Sequence, residues 1–453
     1  MILAVDLAQK HKELGEAPIG RLLWKFSLPG IVGMLVNSLY NIVDRIFIGN
    51  GVNSEAIGGL TVAFPLMIIT MAVSMLVGVG ASTLLSIRLG EHEHEAAEKL
   101  LGNGFILLII FGLLPTVVGL PLLEPMLVLF GATPDILGYA VDYTRIILIG
   151  NVGASVGFGM NNFVRAEGSP RMAMVAMLIS ALLNIVLDYI FIFPLGMGVA
   201  GAAVATVIAQ GVSVVLCILY VMARVRILIP GRKHLDVGRK LYWDLFSQSI
   251  SMGLMSSIVS AGSVILQYGI NGLGTLTIAG HTAARKLFAF TDMPLIAMAN
   301  AASTFVSQNY GAGQPERIRK GMREIYLYSL VVMVVTVLLM QVSAEWLVRM
   351  VSGSSEALVL ENGARYLRWT SPFYAVLGVL LSTRYALQSL GEKVLPLFSS
   401  VIEFLGKVVF VLVFIPRFAY NAVILCEPVV WCFMALYLVA VYRCNPFVFP
   451  KKQ

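Results

Sequence analysis

Charged residues are scarce in this chain. Of its 453 residues only 13% are charged, while 58% are hydrophobic and the mean hydropathy is +0.85. Soluble globular domains carry about 25% charged residues, roughly twice the share found here. The composition therefore excludes a soluble domain and indicates a membrane protein.

Cysteine and histidine are rare as well, with four and five residues. The cysteines, Cys217, Cys426, Cys432 and Cys444, lie in or next to apolar runs and show neither a disulfide framework nor a metal-ligand spacing. The histidines at 92 and 94 stand in a charged loop, where we expect no metal. The first 20 residues lack the cationic start and apolar core of a signal peptide. We expect no cofactor apart from a coupling ion.

Long apolar runs are the main feature of the sequence. A hydropathy window finds about twelve runs of membrane-crossing length, and no period-2 alternation accompanies them. The sequence thus predicts an all-α polytopic bundle with spans near 26–48, 57–87, 100–122, 138–163, 171–193, 199–224, 245–270, 277–307, 325–348, 367–388, 395–416 and 421–442.

Basic residues fall on one side of these spans. Dense basic runs occur at 224–240 and 316–323, whereas the opposite loops, such as GVNSEA at 51–56, carry few cations. The positive-inside rule then predicts that both termini are cytoplasmic. Because topology explains these basic loops, we expect no nucleic-acid partner.

The two halves of the chain resemble each other. An offset of 221 pairs Gly59 with Gly280, Ser82 with Ser303 and Gly90 with Gly311. We therefore predict a six-helix lobe at 1–224, a cytoplasmic inter-lobe loop at 225–243 and a second six-helix lobe at 244–453. Parallel repeats of this kind are typical of secondary transporters with a central site between two lobes.

A carboxylate interrupts the first apolar run. Asn37, Asn41 and Asp44 recur at i, i+4 and i+7 and share one helical face within Pro29–Gly49. An ionisable group at membrane depth is costly unless it meets a partner, a proton or water, so Asp44 is a candidate functional residue. The alternative is a structural pair with the adjacent Arg45.

The fifth and sixth spans add further polar groups. Ser180, Asn184 and Asp188 follow i, i+4, i+8, and Thr206 and Gln210 follow on the sixth span. The second half has no acid at the positions matching the two aspartates. Together with Asn161, these oxygens suit a proton or Na⁺, with Asp44 and Asp188 as the expected ion ligands.

The second half has a different polar set. Gln267 belongs to a polar stripe on the seventh span, and Glu403 precedes Lys407 at i, i+4, a spacing that favours a structural ion pair. The residues His281, Arg285, Lys286 and Arg384 either line a cavity or reach to an interface.

Several motifs, taken in order, carry a family resemblance. They are Pro29 in FSLPG, VDRIFIG at Val43–Gly49, VRAEGSPR at Val164–Arg171 and LLNIVLDYIFI at Leu182–Ile192. In this order they resemble the multidrug and toxic compound extrusion (MATE) transporters, above all the DinF/MepA-like bacterial branch. The resemblance covers essentially the whole chain.

The resemblance implies a monomeric antiporter of the bacterial cytoplasmic (inner) membrane that expels organic cations in exchange for Na⁺ or H⁺ by alternating access. It also implies coupling residues Asp44, Asp188, Asn184, Asn161 and Thr206. The substrate cavity would be lined by Asn37, Asn41, Ser180, Gln210, Gln267 and Glu403. The alternatives are a lipid-linked oligosaccharide flippase of the same superfamily and, more remotely, an intramembrane enzyme.

Overall fold

The computed structural model describes residues 17–224 and 239–450. Every regular element in these two ranges is a helix, which agrees with the predicted all-α class. The predicted start of the chain and residues 225–238 of the predicted inter-lobe loop lie outside the described residues.

Seven α-helices precede the gap and eight follow it. The first seven are α1 (Ile19–Gly51), α2 (Ser54–Gly90), α3 (His94–Gly119), α4 (Leu123–Leu129), α5 (Pro134–Ala166), α6 (Pro170–Ile192) and α7 (Gly198–Arg224). The others are α8 (Arg239–Asn271), α9 (Thr275–Gly311), α10 (Pro315–Ser352), α11 (Ala357–Thr370), α12 (Tyr374–Ser389), α13 (Leu395–Val409), α14 (Ile415–Phe418) and α15 (Tyr420–Cys444). A 3₁₀ turn at Ser371–Phe373 joins α11 to α12, and a π-helical turn at Phe410–Phe414 follows α13.

Local sequence explains where these helices start. The side chain of Asn53 accepts a hydrogen bond of 2.8 Å from the backbone N–H of Ala56 and so caps α2. Proline opens α5, α6 and α10, where its missing N–H costs no helical hydrogen bond. These four helices thus start at residues whose chemistry suits a helix start.

Ten helices among the described residues are long and apolar enough to cross a membrane. They coincide with ten of the twelve predicted spans. The remaining two fall on α9, which carries Arg285, Lys286 and Asp292, and on the α11–α12 pair, which is interrupted at Ser371–Phe373. Large apolar side chains such as Leu129, Val342 and Leu412 are 81%, 85% and 70% exposed, as lipid-facing residues are.

The contacts divide the chain into two compact units. The first contains Val32–Gly253, and the second contains Ala17–Ile31 together with the chain from Leu254 onward. Two helices are therefore shared, because α1 changes unit after Ile31 and α8 changes unit after Gly253. Within the second unit, Trp24 of α1 packs on Tyr328 of α10 with ring centroids 5.7 Å apart.

Candidate functional site

The α1 aspartate lies inside the first unit. Asp44 is only 6% exposed, and its Oδ1 atom has no hydrogen-bond partner among the described residues. No ion pair joins it to Arg45 in the described part of the chain; the guanidinium of Arg45 lies 5.8 Å from the ring centroid of Phe64 instead. A structural pair with Arg45 therefore does not explain this buried carboxylate.

Helix α6 brings a second carboxylate and an amide to the interior of the same unit. Asp188 is fully buried and Asn184 is 1% exposed. The Nδ2 group of Asn184 donates to Asp188 Oδ1 and to Thr206 Oγ1 of α7, both at 3.4 Å. Asp44 interacts electrostatically with Asp188, so we treat the four side chains as one group and call it the coupling cluster, after the role predicted for its members from the sequence.

Two tyrosines accompany the coupling cluster. Tyr40 and the buried Tyr143 interact electrostatically with both aspartates. The sequence offered two signals for them: Tyr40 precedes Asp44 by one helical turn, and Tyr143 begins the YTR segment that recurs as YLR at Tyr366. Neither was predicted as a site residue, because a tyrosine in an apolar span is usually part of the packing.

The coupling cluster is rich in oxygen atoms that lack partners. Asp44 Oδ1, Asn184 Oδ1 and Asp188 Oδ2 are buried and accept no hydrogen bond in the described structure. Buried polar atoms are normally satisfied, so three such acceptors together suit a proton or a hard cation. No group of three or more His, Cys, Asp and Glu side chains that could hold a metal ion occurs within the described ranges. The cluster offers two carboxylates, one amide and one hydroxyl.

Asn161 is not brought to the coupling cluster. Its Nδ2 donates to the carbonyl of Ala173 at 3.0 Å, and its Oδ1 accepts from Arg165 at 2.6 Å. Ala173 precedes Asn184 by eleven residues on α6, about 16 Å along the helix. Both polar groups of Asn161 are engaged there, so it joins α5 to the start of α6.

The predicted cavity residues of the first unit occupy three settings. The hydroxyl of Ser180 donates to the carbonyl of Ala209 at 2.8 Å and so joins α6 to α7. Asn37 and Asn41 are exposed, and Asn41 Nδ2 donates to the carbonyl of Asn37 at 2.7 Å. Gln210 is half-buried on α7.

In the second unit, Glu403 and Lys407 form a buried ion pair. Lys407 Nζ donates to Glu403 Oε1 at 2.8 Å and to Ser263 Oγ at 3.3 Å. Gln267 is exposed and donates to Asn271 Oδ1 at 2.8 Å. The pair neutralises both charges, which is consistent with the structural role expected from its spacing.

The other polar residues predicted in the second unit differ in how deeply they are buried. His281 is 4% exposed and Arg384 is 8% exposed, and Arg384 Nε donates to Ser399 Oγ at 3.0 Å. Lys286 is exposed. Arg285 is half-buried beside Glu427. Arg384 and His281 thus point into the unit rather than toward an interface.

A polytopic helical bundle with a buried group of carboxylate and amide oxygens in one of two repeated units is typical of membrane transporters. The MatE family model matches the chain twice, over residues 29–190 and 252–413. The chain therefore belongs to the MatE family, whose members are transporters and not enzymes. The twofold match agrees with the internal repeat in the sequence.

Individual relatives give the same result. The multidrug export protein MepA of Staphylococcus haemolyticus is 24% identical over 367 residues, which cover 81% of each chain. MepA of Staphylococcus aureus strain NCTC 8325 is 24% identical over 299 residues, or 66% of each chain. The fold matches an outward-facing multidrug resistance MATE family transporter of the MOP superfamily with a TM-score of 0.89 at 23% identity, over 97% of this chain and 98% of that one. The predicted MATE resemblance and fold are confirmed.

Proposed function

We propose that this protein is a secondary antiporter that exports cationic, amphipathic organic compounds from a bacterial cell in exchange for H⁺ or Na⁺. Its relatives named MepA are multidrug export proteins, which supports drug export. The observation that carries ion coupling is the set of three unpartnered buried oxygens of Asp44, Asn184 and Asp188. We place both termini in the cytoplasm, following the distribution of basic residues.

The proposed coupling rests on electrostatic repulsion. Two ionised carboxylates in an apolar bundle repel each other, and a bound proton or monovalent cation relieves that repulsion. Asn184 orients the site, since its amide group donates to Asp188 and Thr206 and its own oxygen stays without a hydrogen-bond partner among the described residues. Ion binding in one state of an alternating-access cycle and release in the other then drives export, provided that the affinities differ between the states.

Transport in everted membrane vesicles tests this proposal. We expect rhodamine 123, a cationic dye, to accumulate under a pH gradient or a Na⁺ gradient, and the effective gradient identifies the coupling ion. Asp44→Asn and Asp188→Asn should each lower the initial rate of dye accumulation by at least tenfold, because each replaces an ionisable carboxylate with a neutral amide. Asp142→Asn, at an exposed aspartate of α5, is the matched control and should transport normally.

Normal coupled transport by both Asp44→Asn and Asp188→Asn would refute the coupling assignment. Lipid scrambling by the wild-type protein, without dye movement under either gradient, would refute drug export and support the flippase alternative.

A further inference from the structure

A groove opens between α10 and α12, wholly within the second unit. Its volume is about 740 Å³, and its lining residues come from these two helices. The hydroxyls of Tyr326 on α10 and Thr383 on α12 share a hydrogen bond of 2.8 Å. One turn further along α10, a Cβ atom on Gly378 of α12 would lie 3.1 Å from Ser329 Cβ. These contacts join the two helices and so fix the walls of the groove.

One end of the groove is basic. The segment 316–323 at the start of α10 carries four cations, of which two have partners. Arg317 donates to a backbone carbonyl at 2.7 Å, and Arg319 pairs with a carboxylate one turn away at 3.5 Å. The other two, Lys320 and Arg323, are exposed and line the groove. Neither forms a hydrogen bond or an ion pair with another described residue.

The carboxylate nearest these two cations is turned toward another helix. Glu324 also lines the groove, yet its Oε2 atom lies 3.1 Å from the place that a Cβ atom on Gly20 would take, in the first turn of α1. The start of a helix carries partial positive charge, which favours a carboxylate there. The basic end of the groove thus has two cations for one carboxylate, and α1 already attracts that carboxylate.

The rest of the groove is aliphatic. Leu327 and Leu330 of α10 are 56% and 47% exposed, and Val376 and Val379 of α12 form the opposite wall. Leu330 follows Lys320 by ten residues, about 15 Å along the helix, which is half of the ~30 Å hydrocarbon core of a bilayer. The groove therefore extends from a basic end through roughly the apolar depth of one leaflet.

An aromatic pair indicates where the membrane surface lies on α10. Trp24 of α1 is 42% exposed and packs on Tyr328, which follows the basic segment by one turn. Tryptophan and tyrosine are enriched at the interface between lipid and water. Lys320 and Arg323 precede this level on α10, so they lie at headgroup depth while the aliphatic part of the groove faces the acyl chains.

We propose that this groove binds one anionic phospholipid of the cytoplasmic leaflet, the side that the distribution of basic residues predicts for this end of α10. Lys320 and Arg323 hold the headgroup phosphate, and an acyl chain lies along Leu327, Leu330 and Val379. Basic pockets between membrane helices bind anionic headgroups by charge attraction, and the guanidinium offers two parallel donors to phosphate. A free phosphate ion would leave the aliphatic part unused. The lipid site does not depend on the proposed export function.

Native mass spectrometry of the full-length protein in a nonionic detergent tests this site. The probes are phosphatidylglycerol and phosphatidylcholine with the same acyl chains. We expect wild type to bind its first phosphatidylglycerol about 30-fold more tightly than its first phosphatidylcholine, the combined effect of two cations at headgroup depth. Lys320→Gln combined with Arg323→Gln should bring this ratio close to one. Arg145→Gln combined with Arg171→Gln removes two exposed cations from the first unit and should keep the wild-type ratio.

A second variant tests the aliphatic part. Val379→Trp fills this part of the groove and leaves both cations in place. It should weaken phosphatidylglycerol binding by about tenfold, the effect of withdrawing about two methylene groups from apolar contact. Inorganic phosphate in excess should not displace the lipid. The inference is overturned if wild type binds both lipids equally, if either groove variant binds them as wild type does, or if phosphate alone displaces the lipid.

Discussion

Lys407 shows how one residue distinguishes the two repeats. The two family-matched segments are of equal length and begin 223 residues apart, which pairs Ser180 with Glu403, Asn184 with Lys407 and Asp188 with Val411. In the first unit the amide of Asn184 donates to Asp188 at 3.4 Å, whereas in the second the ammonium of Lys407 donates to Glu403 at 2.8 Å. The second unit therefore neutralises its buried acid with a cation of its own chain.

This buried pair leads to a stability prediction. Lys407→Met should lower stability by about 3–5 kcal/mol, because it leaves Glu403 ionised and unpaired in the interior. Adding Glu403→Gln should restore most of that loss. Thermal unfolding of the purified protein in detergent measures both changes. Lys99→Met, which breaks the exposed pair of Lys99 with Glu95 at 2.9 Å, is the control and should cost no more than about 1 kcal/mol. A Lys407→Met protein as stable as wild type would contradict the prediction.

Side-chain periodicity predicted some of the candidate site. The structure groups four of the predicted residues, Asp44, Asn184, Asp188 and Thr206. Polar side chains on apolar helices are expected to turn toward one another, away from lipid. Asn161 was also chosen for its depth in a span, yet its amide is used by Ala173 and Arg165. The spacing within one helix cannot show which backbone carbonyl of another helix a side chain will meet.

At the scale of elements, the repeated glycines mark repeated helix contacts. A Cβ atom on Gly59 of α2 would lie 3.0 Å from the backbone nitrogen of Ala140 in α5. A Cβ atom on Gly280 of α9 would lie 2.5 Å from the backbone oxygen of Val359 in α11. Backbone atoms cannot move aside as a flexible side chain can. The sequence match between these glycines therefore reflects the same close helix approach in both units.

Alanine substitution tests these contacts. Gly59→Ala and Gly280→Ala should each destabilise the protein by roughly 1–3 kcal/mol through overpacking, with a larger effect at Gly280. Gly211→Ala on α7 is the matched control, since its Cβ would meet nothing within 4 Å. There the better helix propensity of alanine should stabilise by about 0.5–1 kcal/mol. Thermal midpoints in one detergent decide the order, and equal midpoints for all three variants would contradict it.

Hydropathy found most of the helices for a simple reason: lipid requires long apolar helices with all backbone groups paired. The spans predicted at 277–307 and 367–388 also fall on helices, α9 and the α11–α12 pair, although these helices are less apolar than the other ten. Within the second unit, Arg285 of α9, Tyr366 of α11 and Glu427 of α15 form hydrogen bonds with one another. A hydropathy window averages residues that are adjacent in sequence, so it cannot detect pairing between side chains of distant helices.

At the scale of the molecule, α1 and α8 connect the two units. Both change unit at nearly equivalent points of the repeat, after Ile31 and after Gly253. The sequence predicts a lobe boundary in the loop at 225–243; hydropathy separates helices and carries no information on what each half of a helix packs against. Each of these two helices therefore belongs in part to both units.

Pro29 lies two residues before the point at which α1 changes unit, and it leaves the carbonyl one turn earlier without its helical donor. Pro29→Ala should stabilise a straight α1 by up to ~3 kcal/mol and slow bending there. We expect the initial rate of rhodamine 123 export to fall several-fold while the dye's Kd stays within about twofold. Pro115→Ala, inside α3 and wholly within the first unit, is the control and should export at the wild-type rate. If both variants slow export equally, the cause is the general gain in helix stability when a proline is replaced. A hinge in α1 is supported only if Pro29→Ala slows export and Pro115→Ala does not.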